Sequence, residues 1–486
     1  VVSNILEKRD QIVILPTGAG KSLCFSLPAL LLDGPTLIIF PLLALMADQA
    51  RRLEETGRDV AIIRGGQKPE ERDRIWNDIE AGKVTYILSN PETLIQEKTA
   101  ARLKSLGISH MVIDEAHTVS EWGDSFRPSY LQLAEIRKNA EIPQVTAFTA
   151  TASEYVLKRI REIVFEDSNP NLVQAVPDRP NISYSVHPAL SKDYEIRAQV
   201  ETAKRPAIIF CRSRTATELT ARMLRRQLNE DDIRFYHAGL EREEKTAVEE
   251  WFFESNNGIL TATCAYGMGV DKSNIRTVIH RDLPPSAEAY LQESGRAGRD
   301  RNPAEARLIF SPEDWRYYHG LCKEMNGENE SGHIGLERYR SMLLYAASGK
   351  TCRREYLLSL LSAEPDVCFS CDVCEGTIKS RIPGMKEIIK LIHRYPRQLT
   401  KYQTSLLLIG WQGSESADRG LWCRKGFGCL EVWTPGEIEE AIEALIEIGL
   451  LHLPARGPWK RKLGSEKSKV YKKRREERIR ILSDSD

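Results

Sequence analysis

The sequence predicts an α/β protein: two tandem parallel-sheet domains, then a helical module around four cysteines, then a second helical module ending in a hairpin. Three observations predict this. Short runs rich in β-branched residues recur between longer amphipathic stretches. The alternation restarts after a Pro-bounded segment, Pro177–Pro180. Beyond Glu313 the strand-like runs give way to helical periodicity, and four cysteines gather at Cys352, Cys368, Cys371 and Cys374. The chain's 486 residues suffice for three or four units at roughly 100–200 residues each.

In the first unit Gln11–Leu15, Thr36–Phe40, Val60–Arg64, Thr85–Ser89, His110–Asp114 and Val145–Phe148 read as buried parallel strands, and the stretches between them as helices. Regular alternation of this kind covers both faces of a parallel sheet with helices. In the second unit Ala207–Cys211, Ile259–Thr263, Thr277–His280 and Arg307–Phe310 repeat the pattern. Farther on, Lys386–Trp411 and Pro435–Gly449 are helical in period, and Leu450–Pro454 with Trp459–Leu463 are spaced as a hairpin. Helices followed by a hairpin fit a winged-helix module.

Composition sets the class. Hydrophobic residues make up 41% and charged residues 28%, as in ordinary globular proteins. Formal net charge is zero, so no overall basic field announces a polyanionic partner. Charge is uneven, however: Arg456–Arg480 holds twelve Lys or Arg against three Glu. Such a run is usually a solvated tail, and it also suits phosphate binding. No stretch approaches the roughly 20 apolar residues of a membrane span, and no secretory signal is visible. The six scattered cysteines, Cys24, Cys211, Cys264, Cys322, Cys423 and Cys429, read as reduced thiols.

Four motifs carry chemistry. Leu15-Pro16-Thr17-Gly18-Ala19-Gly20-Lys21-Ser22 follows a strand. Gly18 and Gly20 let backbone N–H groups turn toward a phosphate, Lys21 brings a charge for the β- and γ-phosphates, and Ser22 a hydroxyl for Mg²⁺. The plainer reading is a Gly-rich turn; the intact Gly-Lys-Ser after a strand favours the phosphate loop. Met111-Val112-Ile113-Asp114-Glu115-Ala116-His117 places two carboxylates at a strand end. There Asp114 suits the metal and Glu115 the attacking water. Alone, an Asp-Glu pair is a common strand boundary; placed downstream of a phosphate loop it is far more specific. Gln292-Glu293-Ser294-Gly295-Arg296-Ala297-Gly298-Arg299-Asp300 sets two arginines three apart on one helix face or turn. Arg296 and Arg299 suit a phosphoryl group whose charge shifts during transfer, although a segment of this composition is more often a surface turn. The pattern C-x₁₅-C-x₂-C-x₂-C of Cys352, Cys368, Cys371 and Cys374 suits a closed tetrahedral, structural Zn²⁺ site. A disulfide framework is the weaker reading without a secretory context.

Together these motifs resemble superfamily 2 helicases, and further segments resemble the RecQ family. Pro41–Gln49 is similar to the family's first DNA-contact segment, Ser120–Pro128 to its aromatic-rich loop, and Phe148–Ala152 to its coupling motif. Asp178-Arg179-Pro180-Asn181 resembles the inter-domain linker, and Tyr236–Leu240 and Ala265–Lys272 resemble second-domain motifs. The resemblance spans about residues 5–460. It implies an ATP-dependent DNA helicase moving 3′ to 5′ on single strands, in recombination, repair and replication, with ATP, Mg²⁺ and Zn²⁺ as cofactors. It implies nucleotide contacts from Thr17, Gly18, Gly20, Lys21, Ser22, Asp114, Asp271 and Gln292, and DNA contacts from Trp122, Phe126 and Arg127. Core packing is the plainer fate of Trp122 and Phe126. Trp459, in the turn Ala455–Trp459, is either a wing-tip residue that stacks on a base pair or a core tryptophan.

The expected domains are residues 1–176, a first RecA-like ATPase domain; 177–312, a second RecA-like domain; 313–376, a zinc-binding subdomain; 377–465, a winged-helix domain; and 466–486, a basic tail. Expected partners are single-stranded and forked duplex DNA, with a single-strand-binding protein as the candidate protein partner and no membrane. The expected location is the bacterial cytoplasm at the nucleoid, or the nucleus in a eukaryote. Three departures stand out. The family carries a Gln-containing, adenine-reading motif upstream of the phosphate loop; only Val1–Asp10 precede the first strand, and the chain opens without Met, so that motif is expected to lie outside it. Asp124 stands where the family often has His. With a basic tail ending at Asp486, the helical HRDC domain of many members is not expected within these residues. The alternatives are another superfamily 2 translocase or RNA helicase, separated by strand displacement on DNA and RNA forks, and a DNA-binding scaffold with weak ATPase, separated by turnover with single-stranded DNA.

Overall fold

The computed structural model describes residues 1–465 apart from 17–18, 42, 56, 120–127, 167, 176–177, 267–271, 325–329, 364–367, 369 and 380, and apart from the side chains of 44, 48, 330 and 331. It divides into two units, one of Val1–Arg179 with Tyr266–Asp271 and Leu357–Asp366, the other of the remaining residues.

The first unit is built on seven parallel strands: β1 (Gln11–Ile14), β2 (Thr36–Ile39), β3 (Val60–Ile63), β4 (Tyr86–Ser89), β5 (His110–Ile113), β6 (Val145–Thr149) and β7 (Asn171–Gln174). Their order is β3-β4-β2-β5-β6-β1-β7. The four-residue apolar runs are buried throughout because helices cover both faces of the sheet. The two-residue period of a strand then divides the core. Ile12, Ile14, Leu37, Ile39, Met111 and Ile113 enter one cluster, while Val13, Ile38 and Val112 enter another with Phe25 and Phe148. All strands being parallel, the segments after β1, β5 and β6 leave by the same carboxyl edge, and β6 lies between β1 and β5.

The second unit repeats the plan with β8 (Ile182–Pro188), β9 (Ala207–Phe210), β10 (Ile233–Tyr236), β11 (Ile259–Ala262), β12 (Thr277–His280) and β13 (Ala304–Phe310), in the order β10-β11-β9-β12-β13-β8. The helices Pro312–Glu324 and Glu330–Ala347 follow. Lys192 lies fully buried between Asp282 after β12 and Asp314 in the first of these helices, so the sheet and the helical module share one ionic centre.

Beyond the cysteines, Met385–Arg394, Lys401–Ile409 and Pro435–Glu447 are helices around an apolar core that includes Ile388, Leu407, Ile438 and Leu445. The single helical stretch expected over Lys386–Trp411 is therefore two helices. Pro396 stands in the break, and Thr400 starts the second helix with a reciprocal capping box to Gln403. The hairpin is also displaced from expectation. β14 (Leu451–His452) pairs antiparallel with β15 (Gly464–Ser465) rather than with Trp459–Leu463. Turn bonds from Lys460 N to Gly457 O and Lys462 N to Trp459 O occupy the intervening residues, and Leu463 is drawn into the core. The module is seated on the helix Lys192–Thr202: Tyr194 stacks on Trp433 at 3.9 Å, and Glu440 accepts from Ser191 Oγ at 2.6 Å and Lys192 N at 2.9 Å. Among the described residues, no helix is long and apolar enough to cross a membrane.

Candidate functional site

The loop after β1 leads into the helix Lys21–Ala29, whose N-cap is Gly20. Gly20 has φ +84°, and a Cβ there would meet nothing within 4 Å. Glycine is thus required by backbone conformation and not by crowding. Gly20 brings no side-chain oxygen to the first N–H groups of the helix, which leaves them suited to an anionic ligand. Lys21 and Ser22 occupy the first turn, and Ser22 Oγ donates to Gln49 Oε1 at 3.2 Å. Gln49 belongs to the helix Leu43–Glu54. Thr17 and Gly18 lie outside the described residues.

Across the sheet edge, Asp114 continues β5 by donating its N–H to Ile39 O at 3.0 Å. Glu115 turns out of the strand with φ +50°, a left-handed conformation uncommon for a residue with a side chain and typical of functional turns. The turn carries its carboxylate to Lys21: Nζ and Oε1 are 3.4 Å apart, with side chains only 14% and 18% exposed. Burial pushes the Asp114 carboxyl up to about 6, an effect that Lys21 opposes and Glu115 reinforces. His117 completes the cluster. Its Nδ1 lies 3.4 Å from Glu115 Oε2 and 3.1 Å from Thr149 Oγ1. The Thr149 hydroxyl proton is donated to Thr151 O at 2.8 Å, so Nδ1 is the donor toward Thr149. The carboxylate turn is thereby tied to the segment after β6.

In the second unit, the helix Ala287–Ser294 ends at Gly295, and the arginines stand in the turn beyond it rather than on the helix. A Cβ at Gly295 would lie 2.7 Å from Leu291 O. Arg296 is buried and Arg299 partly so; Gln292 is half-buried on the helix. Gly298 N donates to Ile275 O at 2.8 Å, Asp300 N donates to Ser273 O at 3.2 Å, and Asp300 pairs with Arg276.

The four cysteines converge as their spacing predicts. Their Sγ atoms all lie within 4.8 Å of one another, and those of Cys352 and Cys371 are 3.9 Å apart. Tetrahedral zinc with Zn–S bonds near 2.3 Å needs S–S separations of about 3.8 Å. Cys374 N donates to Cys371 Sγ at 3.4 Å, a bond that favours thiolate. Residues beside the ligands brace the group. Arg353 pairs with Asp372 at 2.8 Å, Asp372 Oδ2 accepts from Val186 N at 3.0 Å, and Cys371 bridges to Tyr184 of β8. The donor set fits a closed, structural zinc.

Trp122, Phe126, Arg127 and Asp271 lie outside the described residues, as does the basic tail 466–486. Trp459 is 47% exposed with the Arg397 guanidinium 4.5 Å over its ring, which removes the core alternative. Lys21 and Glu115 meet directly, and Asp114 adjoins them. Sequence reasoning gave no task to His117 or Gln49. Both sit inside quoted motifs, but their partners are distant in sequence.

Three family models match in chain order: DEAD/DEAH box helicase over residues 1–160, helicase conserved C-terminal domain over 192–301, and RecQ zinc-binding over 312–375. The chain is 35% identical over 455 residues to the ATP-dependent DNA helicase RecQ of Pasteurella multocida, covering 93% of this chain and 71% of that one. It is 32% identical over 444 residues to the ATP-dependent DNA helicase RecQ of Bacillus subtilis, covering 90% and 74%. Among solved structures, the fold is similar to the DUF1998 helicase MrfA bound to DNA, with TM-score 0.54 and 18% identity over 75% of this chain and 56% of that one. It is also similar to the Mycobacterium smegmatis helicase Lhr bound to single-stranded DNA and AMP-PNP, with TM-score 0.51 and 17% identity over 92% and 71%. At such identities these structures speak for the two RecA-like domains alone.

Proposed function

The chain belongs to the RecQ family of ATP-dependent DNA helicases, and on that premise we propose that it opens duplex DNA by ATP-driven 3′-to-5′ movement on one strand, in recombination, repair and replication. The observation that carries the reading is the Lys21–Glu115 pair at the carboxyl edge of the first sheet, with Asp114 and the helix N-terminus beside it.

In this reading the phosphates of ATP lie against the backbone of Thr17, Gly18 and Gly20, and Lys21 meets the β- and γ-phosphates. Lys21 then turns from Glu115 to the nucleotide, and Glu115 is released to orient the attacking water and take its proton. The water oxygen bonds to the γ-phosphorus as the bond to the β–γ bridging oxygen breaks, giving ADP and phosphate. Mg²⁺, when bound, neutralises charge on the β- and γ-oxygens; Ser22 and Asp114 are the residues to hold it. Gln292 and Asp271 are further nucleotide contacts, and Arg296 and Arg299 stabilise the charge of the transferring group, Arg299 as the finger. His117, hydrogen-bonded to Thr149 and 3.4 Å from Glu115, links the water-orienting carboxylate to the segment that resembles the coupling motif.

On DNA, Trp122 and Phe126 stack on bases and Arg127 meets phosphate, a grip tolerant of sequence. The module 377–465 is a winged helix, a reading its helices and hairpin support, and Trp459 in its turn meets the fork. The substrates are single-stranded and forked duplex DNA, the candidate protein partner is a single-strand-binding protein, and the site of action is the compartment that holds the DNA.

The test is Glu115→Gln. It should keep ATP binding and lose on the order of 10²-fold or more in DNA-stimulated turnover, because it removes the group that activates water. Turnover within about threefold of wild type would overturn the assignment.

A further inference from the structure

Asn181 stands one residue before β8, where the chain enters the second unit. Its Nδ2 donates to Gly298 O at 2.8 Å and to Asn302 O at 2.9 Å, and its own backbone carbonyl accepts from Ala304 N at 3.0 Å. A primary amide carries two N–H groups, and here one nitrogen serves two carbonyls that bracket Arg299. A carboxylate of the same shape has no proton to give either of them.

Gly298 is fitted to this contact. Its φ is +55°, and a Cβ would lie 2.5 Å from Asn181 Nδ2 and 2.6 Å from Asn302 O. The turn also holds Arg301 at φ +65°, a conformation that persists only where its surroundings enforce it. On its other side the turn is held by Gly298 N to Ile275 O, Asp300 N to Ser273 O and the Arg276–Asp300 pair.

We propose that Asn181 is a positioning residue for Arg299: its amide closes the turn 298–302 and fixes where the guanidinium starts, before nucleotide arrives. The inference rests on the reading of Arg299 as the finger. It also joins the residue at which the chain enters the second unit directly to the turn that senses phosphate.

The experiment measures kcat and the ATP concentration for half-maximal rate, at saturating single-stranded DNA, for Asn181→Asp, Asn181→Gln, Gly298→Ala, Arg299→Ala and the double variant Asn181→Asp with Arg299→Ala. Arg299→Ala should lower kcat by roughly 10³-fold. Asn181→Asp should lower kcat by about 10–100-fold, the cost of a displaced catalytic group, with half-saturation within about threefold of wild type. Asn181→Gln keeps both N–H groups and should retain more activity than Asn181→Asp. Gly298→Ala attacks the same contact from the other side and should match Asn181→Asp. The double variant should fall no further than Arg299→Ala alone, within about threefold, because both changes remove one function. Thermal midpoints and zinc content matching wild type separate positioning from folding, and Gly298→Ala serves as the second variant if Asn181→Asp is poorly folded. If Arg299→Ala is reduced while both Asn181→Asp and Gly298→Ala stay within about threefold of wild type, the inference is overturned and the finger stands. A double variant that loses the two effects multiplied shows that Asn181 acts elsewhere. Wild-type kcat in Arg299→Ala overturns the finger reading itself and the inference with it.

Discussion

Replacing Lys192 with Met removes a charge that the second unit encloses completely. Lys192 Nζ lies 3.0 Å from Asp282 Oδ1 and 2.8 Å from Asp314 Oδ1, and none of the three residues is more than 7% exposed. Burial alone would favour the neutral amine, but Asp314, Asp282 and Glu313 outweigh it and hold the ammonium above the ordinary lysine value. Burial likewise works against the Asp282 carboxylate, but Lys192 and then Arg281 hold it well below the usual carboxylate range. Methionine keeps most of the stem's volume, so the change isolates charge. Removing one partner of such a pair costs about 3–5 kcal/mol. The lower end applies here, because Arg212 N donates to Asp282 Oδ2 at 3.0 Å, Arg212 Nη2 donates to Asp314 at 3.4 Å, and Arg281 lies 3.4 Å from Asp282. A loss of about 3 kcal/mol lowers the thermal midpoint of a unit this large by roughly 6–12 °C.

The pH dependence distinguishes charge from packing. In the wild type the depressed Asp282 carboxyl stabilises the fold above its unfolded pKa, and this is lost only as pH falls toward the folded value. The Asp282 contribution therefore changes little between about pH 7.5 and about pH 5.5. In Lys192→Met the Asp282 carboxylate loses the charge that does most to hold it down, so its folded pKa rises and the folded state takes up a proton as pH falls. Relative to wild type the variant should therefore gain stability as pH falls, and the deficit should shrink. Thermal unfolding of the full chain at the two pH values checks this. A midpoint drop under about 2 °C near neutrality, or an equal deficit at both pH values, would refute the charge argument.

The protein as purified should hold one zinc per chain, and Cys371→Ser should reduce soluble yield and DNA binding more than DNA-independent ATPase, since metal binding energy contributes to folding; elemental analysis showing no zinc sinks this. His117→Ala removes a buried hydrogen bond to Thr149 and should lower the ratio of DNA-stimulated to basal ATPase by about tenfold, the kinetic equivalent of one such bond. An unchanged ratio means that the carboxylate turn and the Thr149 segment are not coupled through His117. Trp459→Ala should lower unwinding by about tenfold, the value of one stacked base, while single-strand-stimulated ATPase persists. Parallel loss of both activities would overturn the role of Trp459 at the fork.

The central strands, the phosphate loop and the zinc set were legible in the sequence because each is written in neighbouring residues. A continuous apolar run marks a strand covered on both faces, as in β1, β2 and β5. A glycine marks a left-handed turn, as at Gly20. Cysteine spacing marks a metal whose ligands arrive from one loop and one helix start. Within the two large sheets, the three strands that sequence reasoning missed, β7, β8 and β10, all lie at sheet edges. An edge strand is only half covered, so its burial alternates or lapses and no apolar run announces it. The polar pairings were equally silent. His117 finds Thr149, Asn181 finds Gly298, and Lys192 finds Asp282 and Asp314 across 32, 117, 90 and 122 positions of chain. Which donor meets which acceptor depends on the loops that strand order brings to one sheet edge. A single hydrogen bond leaves no period in the sequence, so only the tertiary structure could decide these pairings.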